Sequence, residues 1–333
     1  MLPSNKSLNA FKTPTGSFVA PSPIEINSGR YFMACTIGGT LACGLTHWLV
    51  TPLDLVKCRL QVDKNMYSGI FNGWSTIAKT SGIKGLYTGG IPTLIGYSMQ
   101  GAAKYGFYDY FKYKYASIMG EEFTNKYRTA LYLASSASAE LIADVFLCPL
   151  EAMKVKEQTS LTKFAPSFLA GVKNVYKADG ISGFYRGITP LWLRQIPYTM
   201  VKFATFETTV NLIYKHVMTR PKHTYNKTEQ LGVTFSAGYI AGVFCAIISH
   251  PADVLVSKLN NAPKVEGQST GALAGKIIKD LGFSGLWTGL VPRIFMIGTL
   301  TALQWFIYDT YKVQAGLPAS GSVEPKKIEA KSD

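Results

Sequence analysis

Two lysines stand in the middle of long apolar segments, where a charged side chain is rare and is a functional candidate by default. Lys104, Lys202 and Gln304 each lie five residues before an acid that belongs to a recurring motif. Two ammonium groups and an amide at one depth would form a compact site for an anion, held by charge-assisted hydrogen bonds. A lysine can also snorkel to the membrane interface, but matched mid-segment positions disfavour that alternative. Gln100 lies one helical turn from Lys104 on the same face and joins this candidate site.

A second set of candidates combines a histidine with carboxylates. His47 and Thr51 share one helical face, and Glu140, Asp144 and Glu151 share one face of another segment. His47 and Asp144 each precede a motif proline by five residues, so they are expected at equivalent depth. A lone histidine is usually a packed or interfacial group. A histidine beside a column of carboxylates in a membrane segment is typical of a proton relay.

These candidates are positioned by a unit of about a hundred residues that occurs three times. The stretch PLDLVKCR at 52–59 returns as PLEAMKVK at 149–156 and, altered, as PADVLVSK at 251–258. A glycine–aromatic marker follows each copy: GIKGLYTGGIP, GISGFYRGITP and GFSGLWTGLVP. Two markers in fixed order, three times over, indicate a threefold repeat.

Composition favours a membrane protein over a nucleic-acid-binding protein. The 333 residues are 47% apolar and only 16% charged, with a net charge of +14, whereas a soluble domain is about a quarter charged. The basic residues recur after each proline motif and do not form one run, which disfavours nucleic acid. The five cysteines show no C-x-x-C pair and no metal-ligand spacing.

Six segments are long enough to cross a bilayer, which takes about 20 residues of helix. They lie near 29–60, 91–117, 127–158, 189–216, 230–260 and 291–313. Prolines at 52, 149 and 251 should kink the first segment of each pair. Short amphipathic helices with lysines are expected between the paired segments, at 71–82, 168–180 and 271–282, each stopped by a glycine.

The predicted fold is therefore an all-α membrane protein with six transmembrane helices in three pseudosymmetric repeats, plus short amphipathic helices on one side. The expected repeats span 29–125, 126–227 and 228–316, after a polar N-terminal arm (1–28) and before a disordered tail (317–333). Six spans put both termini on one side and the lysine-rich linkers on the other, the side that the positive-inside rule favours.

The triple motif Pro-x-Asp/Glu-x-x-Lys, followed by Gly-x-x-Gly-aromatic, resembles the mitochondrial carrier family over about 29–315. That resemblance implies a threefold bundle in the mitochondrial inner membrane that opens alternately to its two sides. The short helices would then lie on the matrix side and the termini would face the intermembrane space. Long stretches such as GYSMQGAAKYGFYDYFK and RQIPYTMVKFATFE are similar to the phosphate-transporting members.

This finer resemblance implies import of inorganic phosphate with a proton, which is equivalent to exchange for hydroxide. It carries His47, Glu140 and Glu151 over as proton-coupling residues. It also puts Arg194 and Gln195 at the family's second substrate contact point, where a guanidinium suits a tetrahedral oxyanion.

The resemblance also implies two gates made of ion pairs between neighbouring repeats. The matrix gate would contain Asp54, Lys57, Glu151, Lys154 and Asp253, with Gln61 and Gln158 bonding across it. The intermembrane-space gate would contain Asp109, Lys112, Glu207, Asp309 and Lys312. Each gate lacks one matched cation, because Val256 and Val210 occupy those positions.

The expected partners are phosphate, protons and inner-membrane lipids, with cardiolipin as a candidate. We expect no nucleic acid, no cofactor and no metal site, and a monomer suffices because the repeat closes the bundle. Two alternatives stay open: a carrier for another anion or for copper, and a non-transporting membrane scaffold. An enzyme is disfavoured because the sequence has no nucleophile–base constellation or cofactor motif.

Overall fold

The computed structural model describes residues 28–63, 65–160, 164–218, 220, 224–261, 270–317 and 319–320. The predicted N-terminal arm up to residue 27 and the predicted tail from residue 321 lie outside the described residues, as does the side chain of Gln61.

The described residues form twelve helices. In chain order they are α1 (Gly29–Leu49), α2 (Thr51–Val62), α3 (Ile70–Leu86), α4 (Gly90–Met119), α5 (Glu121–Lys126), α6 (Arg128–Thr159), α7 (Phe168–Asp179), α8 (Ser182–Tyr185), α9 (Ile188–His216), α10 (Lys227–Asn261), α11 (Thr270–Gly285) and α12 (Leu290–Gln314). The six predicted long segments are confirmed within three residues at each end, the first as α1 continued by α2.

The long helices form a closed ring. Within each repeat the two long helices pack together: α1 on α4, α6 on α9 and α10 on α12. Between repeats, α4 contacts α6, α9 contacts α10, and α12 returns to α1. Because the last repeat packs against the first, a single chain closes the bundle.

The motif prolines define one end of the ring, which we call the proline end. In the first repeat the helix breaks at Val50, and Pro52 opens α2. Pro149 and Pro251 instead lie inside continuous helices, where each proline removes one backbone hydrogen bond. The opposite end, where α1 begins and α12 ends, is called the terminal end.

The predicted short helices are confirmed as α3, α7 and α11. Gly82, Gly180 and Gly282 have φ angles of 69°, 64° and 64°, a left-handed backbone that favours glycine. Gly180 ends α7, and Gly82 and Gly282 interrupt the helical geometry of α3 and α11. The three glycines therefore turn the chain from each short helix toward the next long one.

Glycines set the closeness of two helix crossings. A Cβ on Gly39 would lie 2.3 Å from the carbonyl oxygen of Gly101, so α1 and α4 touch backbone to backbone. A Cβ on Gly242 would lie 2.6 Å from the Cα of Gly298, which brings α10 equally close to α12. Small residues permit such contacts between membrane helices.

The outer surface of the ring is apolar. Large side chains such as Met33, Ile91, Leu193 and Phe295 are exposed on it, as expected for a face that meets lipid. Three of the described helices, Gly29–Leu49, Arg128–Thr159 and Lys227–Leu255, are long and apolar enough to cross a membrane by length and composition alone. The second long helices of the three repeats have 30, 29 and 25 residues and also carry buried charged residues, such as Lys104, Lys202 and Asp309.

Candidate functional site

The predicted anion-site residues all lie in the interior of the ring. Lys104, Lys202 and Gln304, from α4, α9 and α12, expose only 4, 2 and 2% of their surface. The Lys202 ammonium donates a hydrogen bond to Gln304 Oε1, and Lys104 Nζ lies 2.9 Å from Glu140 Oε2. The threefold repeat puts these three side chains at one level, and we call Lys104, Lys202 and Gln304 the central layer.

The two lysines of the central layer differ in whether a carboxylate neutralises their charge. Lys104 forms a buried ion pair with Glu140. Within the described part of the chain, no carboxylate lies within 4.0 Å of Lys202, whose hydrogen-bond acceptor is an uncharged amide. A buried cation without a counter-charge is costly, so the arrangement favours an anion at Lys202.

Gln100 holds two carboxylates together beside the ion pair. Its amide nitrogen donates to Glu140 Oε1 at 2.8 Å and to Asp144 Oδ1 at 3.2 Å, using both hydrogens of the amide group. Both carboxylates are fully buried, and Asp144 Oδ2 has no hydrogen-bond partner among the described residues. Gln100, predicted as a substrate contact, therefore positions two of the predicted proton-coupling residues.

His47 connects to the central layer through Gln304. The imidazole stacks on the Tyr97 ring with centroids 3.7 Å apart. Its Nδ1 lies 2.9 Å from the Cys43 carbonyl oxygen and 3.4 Å from Gln304 Nε2. Nδ1 can donate to the carbonyl or accept from the amide, but a single nitrogen cannot do both. The tautomer of His47 is thereby coupled to the amide that holds Lys202.

Thr51 and Glu151, also predicted for proton coupling, lie outside these contacts. The Thr51 hydroxyl donates to the His47 carbonyl oxygen at 3.2 Å. Glu151 Oε1 lies 3.9 Å from Arg194 Nη2, and its Oε2 lies 3.8 Å from Lys154 Nζ. Glu151 therefore belongs with the charges at the proline end.

Among the described residues, the proline end contains one ion pair between neighbouring repeats. Lys154 Nζ lies 3.2 Å from Asp54 Oδ2, which joins α6 to α2. Asp253 pairs with Arg293 of its own repeat, a partner that the motif does not predict. Lys57 is exposed and has no carboxylate within 4.0 Å among the described residues. The ring of ion pairs predicted for this end is thus only partly formed.

Gln158, predicted for the gate, and Gln195, predicted as a substrate contact, differ in their surroundings. Gln158 is buried, and its amide donates to the Thr88 carbonyl oxygen at 3.4 Å, linking α6 to the turn before α4. Gln195 lies half-buried on α9 next to Arg194. Arg194, predicted as a substrate contact, keeps 39% of its side chain exposed and can therefore meet an entering anion.

The terminal end is held by a denser set of contacts. Lys112 Nζ lies 3.0 Å from Asp109 Oδ1 and 2.9 Å from Glu207 Oε1, which ties α4 to α9. The Tyr108 hydroxyl donates to Glu207, and the Tyr308 hydroxyl donates to Asp109, each at 3.2 Å. These pairs match the predicted gate between the first and second repeats.

The third repeat completes the terminal end differently. The Lys312 ammonium lies over the rings of Tyr31 and Tyr308, 5.8 and 5.2 Å from their centroids, within the range of cation–π attraction. Asp309 is fully buried and accepts hydrogen bonds from Thr234 and Ser320. Neither residue of this repeat makes an ion pair within 4.0 Å in the described part of the chain.

An aromatic layer separates the central layer from the terminal end. Tyr105, Phe203 and Trp305 come from the three repeats, and their ring centroids form a triangle with sides of 5.3, 5.3 and 5.2 Å. All three side chains are buried. At the proline end, by contrast, the side chains of Asp54 and Glu151 are 25 and 18% exposed. These two acids are therefore less shielded than the aromatic layer, as is Lys112 of the terminal end, whose side chain is 30% exposed.

Sequence reasoning overlooked this aromatic layer and Arg293. The aromatic residues each directly follow a member of the predicted anion site, so the same counting along the repeat could have found them. Arg293 has no counterpart, because Thr93 and Leu191 occupy the matched positions. Among the described residues, no group of three histidine, cysteine or acidic side chains could hold a metal ion.

Comparison with known proteins finds one family whose model matches nearly all of the described chain. The family model for "Mitochondrial carrier protein" matches residues 28–118, 125–217 and 227–316. The chain is 53% identical over 308 residues to the "Probable mitochondrial phosphate carrier protein" of Schizosaccharomyces pombe, covering 91% of this chain and 98% of that protein. It is 55% identical over 314 residues to the "Phosphate carrier protein, mitochondrial" of Caenorhabditis elegans, with 94% and 90% coverage. It is 54% identical over 294 residues to "Solute carrier family 25 member 3" of Homo sapiens, with 88% and 79% coverage.

Proposed function

Because this chain belongs to the mitochondrial carrier protein family, whose members are multi-pass proteins of the mitochondrial inner membrane, we propose that it carries inorganic phosphate into the matrix together with a proton. The observation that carries this proposal is the buried Lys202, which donates to the Gln304 amide and, among the described residues, has no carboxylate within 4.0 Å. Gln304 in turn connects it to His47. The names of the relatives from S. pombe and C. elegans support phosphate as the anion.

Phosphate binds in the central layer. Lys202 supplies the positive charge, and the Gln304 amide offers both a donor and an acceptor, which suits the oxygens and hydroxyls of dihydrogen phosphate. The anion replaces Gln304 Oε1 as the acceptor for the Lys202 ammonium. Arg194, which is partly exposed near the proline end, contacts phosphate on its path between the central layer and that end.

The proton is carried by the carboxylates of α6 and by His47. When both are ionised, Glu140 and Asp144 repel each other across the Gln100 amide, because like charges in a low-dielectric interior raise the energy. One proton between them removes the repulsion. Movement of one proton with one dihydrogen phosphate carries no net charge, which makes the cycle electroneutral.

Alternating access requires the two ends to open in turn. We assign the proline end to the matrix and both termini to the intermembrane space, because the lysine-rich short helices belong on the positive-inside side. Among the described residues, the proline end has one ion pair between repeats, Lys154–Asp54, in which the lysine side chain is 6% and the acid 25% exposed. To open this end, Lys154 must separate from Asp54. Binding must favour one state over the other for the cycle to turn.

The carrier works as a monomer in this proposal. The ring is closed by contacts within one chain, so no second copy is needed to enclose the central layer. Inner-membrane lipids, with cardiolipin as a candidate, surround the apolar outer face and the lysine-bearing short helices.

Uptake of radiolabelled phosphate by liposomes that contain the purified protein tests the proposal. Uptake should rise with an inward proton gradient, and arsenate but not citrate should compete. Lys202→Ala should abolish uptake, whereas Lys215→Ala, which changes an exposed lysine of the same helix, should not. Folded wild-type protein that takes up no phosphate under either condition would refute the proposal.

A further inference from the structure

The chain turns back after α12 in a way that brings Ser320 to a gate acid. Ala315 caps the helix and Gly316 follows with φ 79°. The Leu317 amide donates to the Lys312 carbonyl and the Gly316 amide donates to the Val313 carbonyl, at 2.8 and 3.2 Å. This is the Schellman arrangement, which requires a left-handed residue that glycine adopts without strain. It reverses the chain over the terminal end of the bundle.

The described residues after this turn, 317 and 319–320, form what we call the returning segment, and they are packed into the protein. Leu317 and Ala319 expose only 3 and 2% of their surface, and Leu317 belongs to the buried cluster that also contains Tyr31 and Tyr308. The segment is therefore part of the terminal end, and its position is determined by burial as well as by the helix cap.

Asp309 receives a dense set of hydrogen bonds from this segment and from α10. The Ser320 backbone amide donates to Asp309 Oδ2 at 2.9 Å, and the Ser320 hydroxyl donates to Oδ1 at 2.7 Å. The Thr234 hydroxyl adds a bond to Oδ2 at 2.7 Å. In the described residues no lysine or arginine lies within 4.0 Å of this carboxylate, which is fully buried.

The repeat explains why these hydrogen bonds are needed. Asp109, Glu207 and Asp309 occupy matched positions in the three repeats. Lys112 on α4 of the first repeat pairs with Glu207 on α9, the equivalent helix of the second repeat. By the same rotation the partner of Asp309 would stand at position 210 of α9, but Val210 is there. A buried carboxylate without a cation is costly unless hydrogen bonds satisfy it.

We propose that Ser320 is a positioning residue of the terminal-end gate, replacing through Asp309 the cation that position 210 lacks. Two hydrogen bonds from the returning segment, together with the Thr234 bond, hold Asp309 in the closed gate. To open this end, the bundle must separate Asp309 from Ser320 of the returning segment. This inference concerns a gate of the proposed transport cycle, and its test does not depend on phosphate.

The rate at which a thiol becomes accessible measures gate opening. Cys35 is fully buried and lies beside Tyr308 and Asp109. The full chain is prepared with its other cysteines replaced by alanine, at positions 43, 58, 148 and 245. In lipid nanodiscs, the labelling of Cys35 by a membrane-impermeant maleimide is then followed over time.

Ser320→Ala removes the hydroxyl donor and should speed labelling of Cys35 about tenfold, because hydrogen bonds to charged groups are among the stronger ones. Gly316→Ala strains the turn and should act in the same direction. Ser320→Thr keeps the donor and should label at the wild-type rate. Ser117→Ala, which removes an exposed hydroxyl bonded only to a backbone carbonyl at the same end, is the matched control.

A second variant keeps the proposal falsifiable if the first merely loosens the fold. Val210→Lys supplies the missing cation, and in a Ser320→Ala background it should return Cys35 labelling toward the wild-type rate. Wild-type labelling of Ser320→Ala, or a double variant that labels as fast as Ser320→Ala alone while remaining folded, would overturn the proposal. Liposome uptake of phosphate is measured separately, so failure of the transport proposal would leave these rates interpretable.

Discussion

Lys202 and Gln304 are hydrogen-bonded to each other in the buried middle of the bundle, where the lysine ammonium donates the hydrogen bond and the amide oxygen accepts it. They come from different repeats, α9 and α12, so the bond crosses the ring. The acceptor is uncharged, and among the described residues no carboxylate lies within 4.0 Å of Lys202. We propose that an incoming anion takes the place of the amide.

Removal of the Lys202 charge should eliminate transport without unfolding the protein. Because the loss of a buried charged hydrogen-bond partner costs about 2–5 kcal/mol, phosphate uptake by Lys202→Ala should fall about 100-fold or more. Initial rates in liposomes and the melting temperature of the purified protein are measured together. Normal uptake by the folded variant would remove the anion-site assignment.

Addition of a carboxylate beside Lys202 should have a similar effect for the opposite reason. Gln304→Glu would neutralise Lys202 with an ion pair inside the protein, and phosphate would then have to displace a charged competitor. We expect uptake to fall about 100-fold, while Gln304→Asn, which keeps an uncharged amide, should lose less. Equal uptake rates for Gln304→Glu and Gln304→Asn would show that the charge of Lys202 does not matter.

Replacement of His47 should separate proton coupling from phosphate binding. His47→Ala removes the ring that contacts Gln304 but leaves Lys202 and its amide in place. Net uptake driven by a proton gradient should therefore decrease more than exchange of internal for external phosphate. Both modes are measured in the same liposomes. An equal loss of both would count against a dedicated role in proton movement.

Neutralisation of Asp144 should also uncouple uptake from protons. Asp144→Asn removes the charge that repels Glu140 and keeps an oxygen for the Gln100 amide. Phosphate exchange should continue, but net uptake should respond little to an inward proton gradient. Asp179→Asn, at a partly exposed acid outside the long helices, provides the control and should keep the gradient response. A wild-type gradient response in Asp144→Asn would contradict the proposed role.

The crossing of α1 and α4 should not tolerate a methyl group. A Cβ on Gly39 would lie 2.3 Å from the Gly101 carbonyl oxygen, and overpacking of this kind costs about 1–3 kcal/mol. Gly39→Ala should lower the melting temperature of the purified protein. Gly29→Ala, where a Cβ would meet nothing within 4 Å, should leave it almost unchanged; similar shifts in both variants would argue against the crossing as the cause.

The sequence by itself determined the elements and the depth of the charged residues. Proline motifs and glycine stops at fixed spacing predict six long helices and three short ones within a few residues, since local backbone chemistry sets where a helix breaks or ends. Counting from one repeat to the next also placed Lys104, Lys202 and Gln304 at one level, because equivalent positions on similar helices must lie at similar depth. The gate acids, from which this count starts, came from the resemblance to the carrier family.

Only the tertiary structure decided which partner each of these groups meets. Depth along a helix does not specify the neighbour across the ring, which depends on how each helix is rotated and how closely it approaches the next. Asp253 therefore pairs with Arg293 of its own repeat, and Asp309 is satisfied by Ser320 from a returning segment. Asp309 lacks a cation because Val210 stands at the matched position, whereas Asp253 takes Arg293 although Lys57 stands where the Lys154–Asp54 pair predicts its partner. A carboxylate takes hydrogen bonds or a cation from whichever element the packing brings within reach.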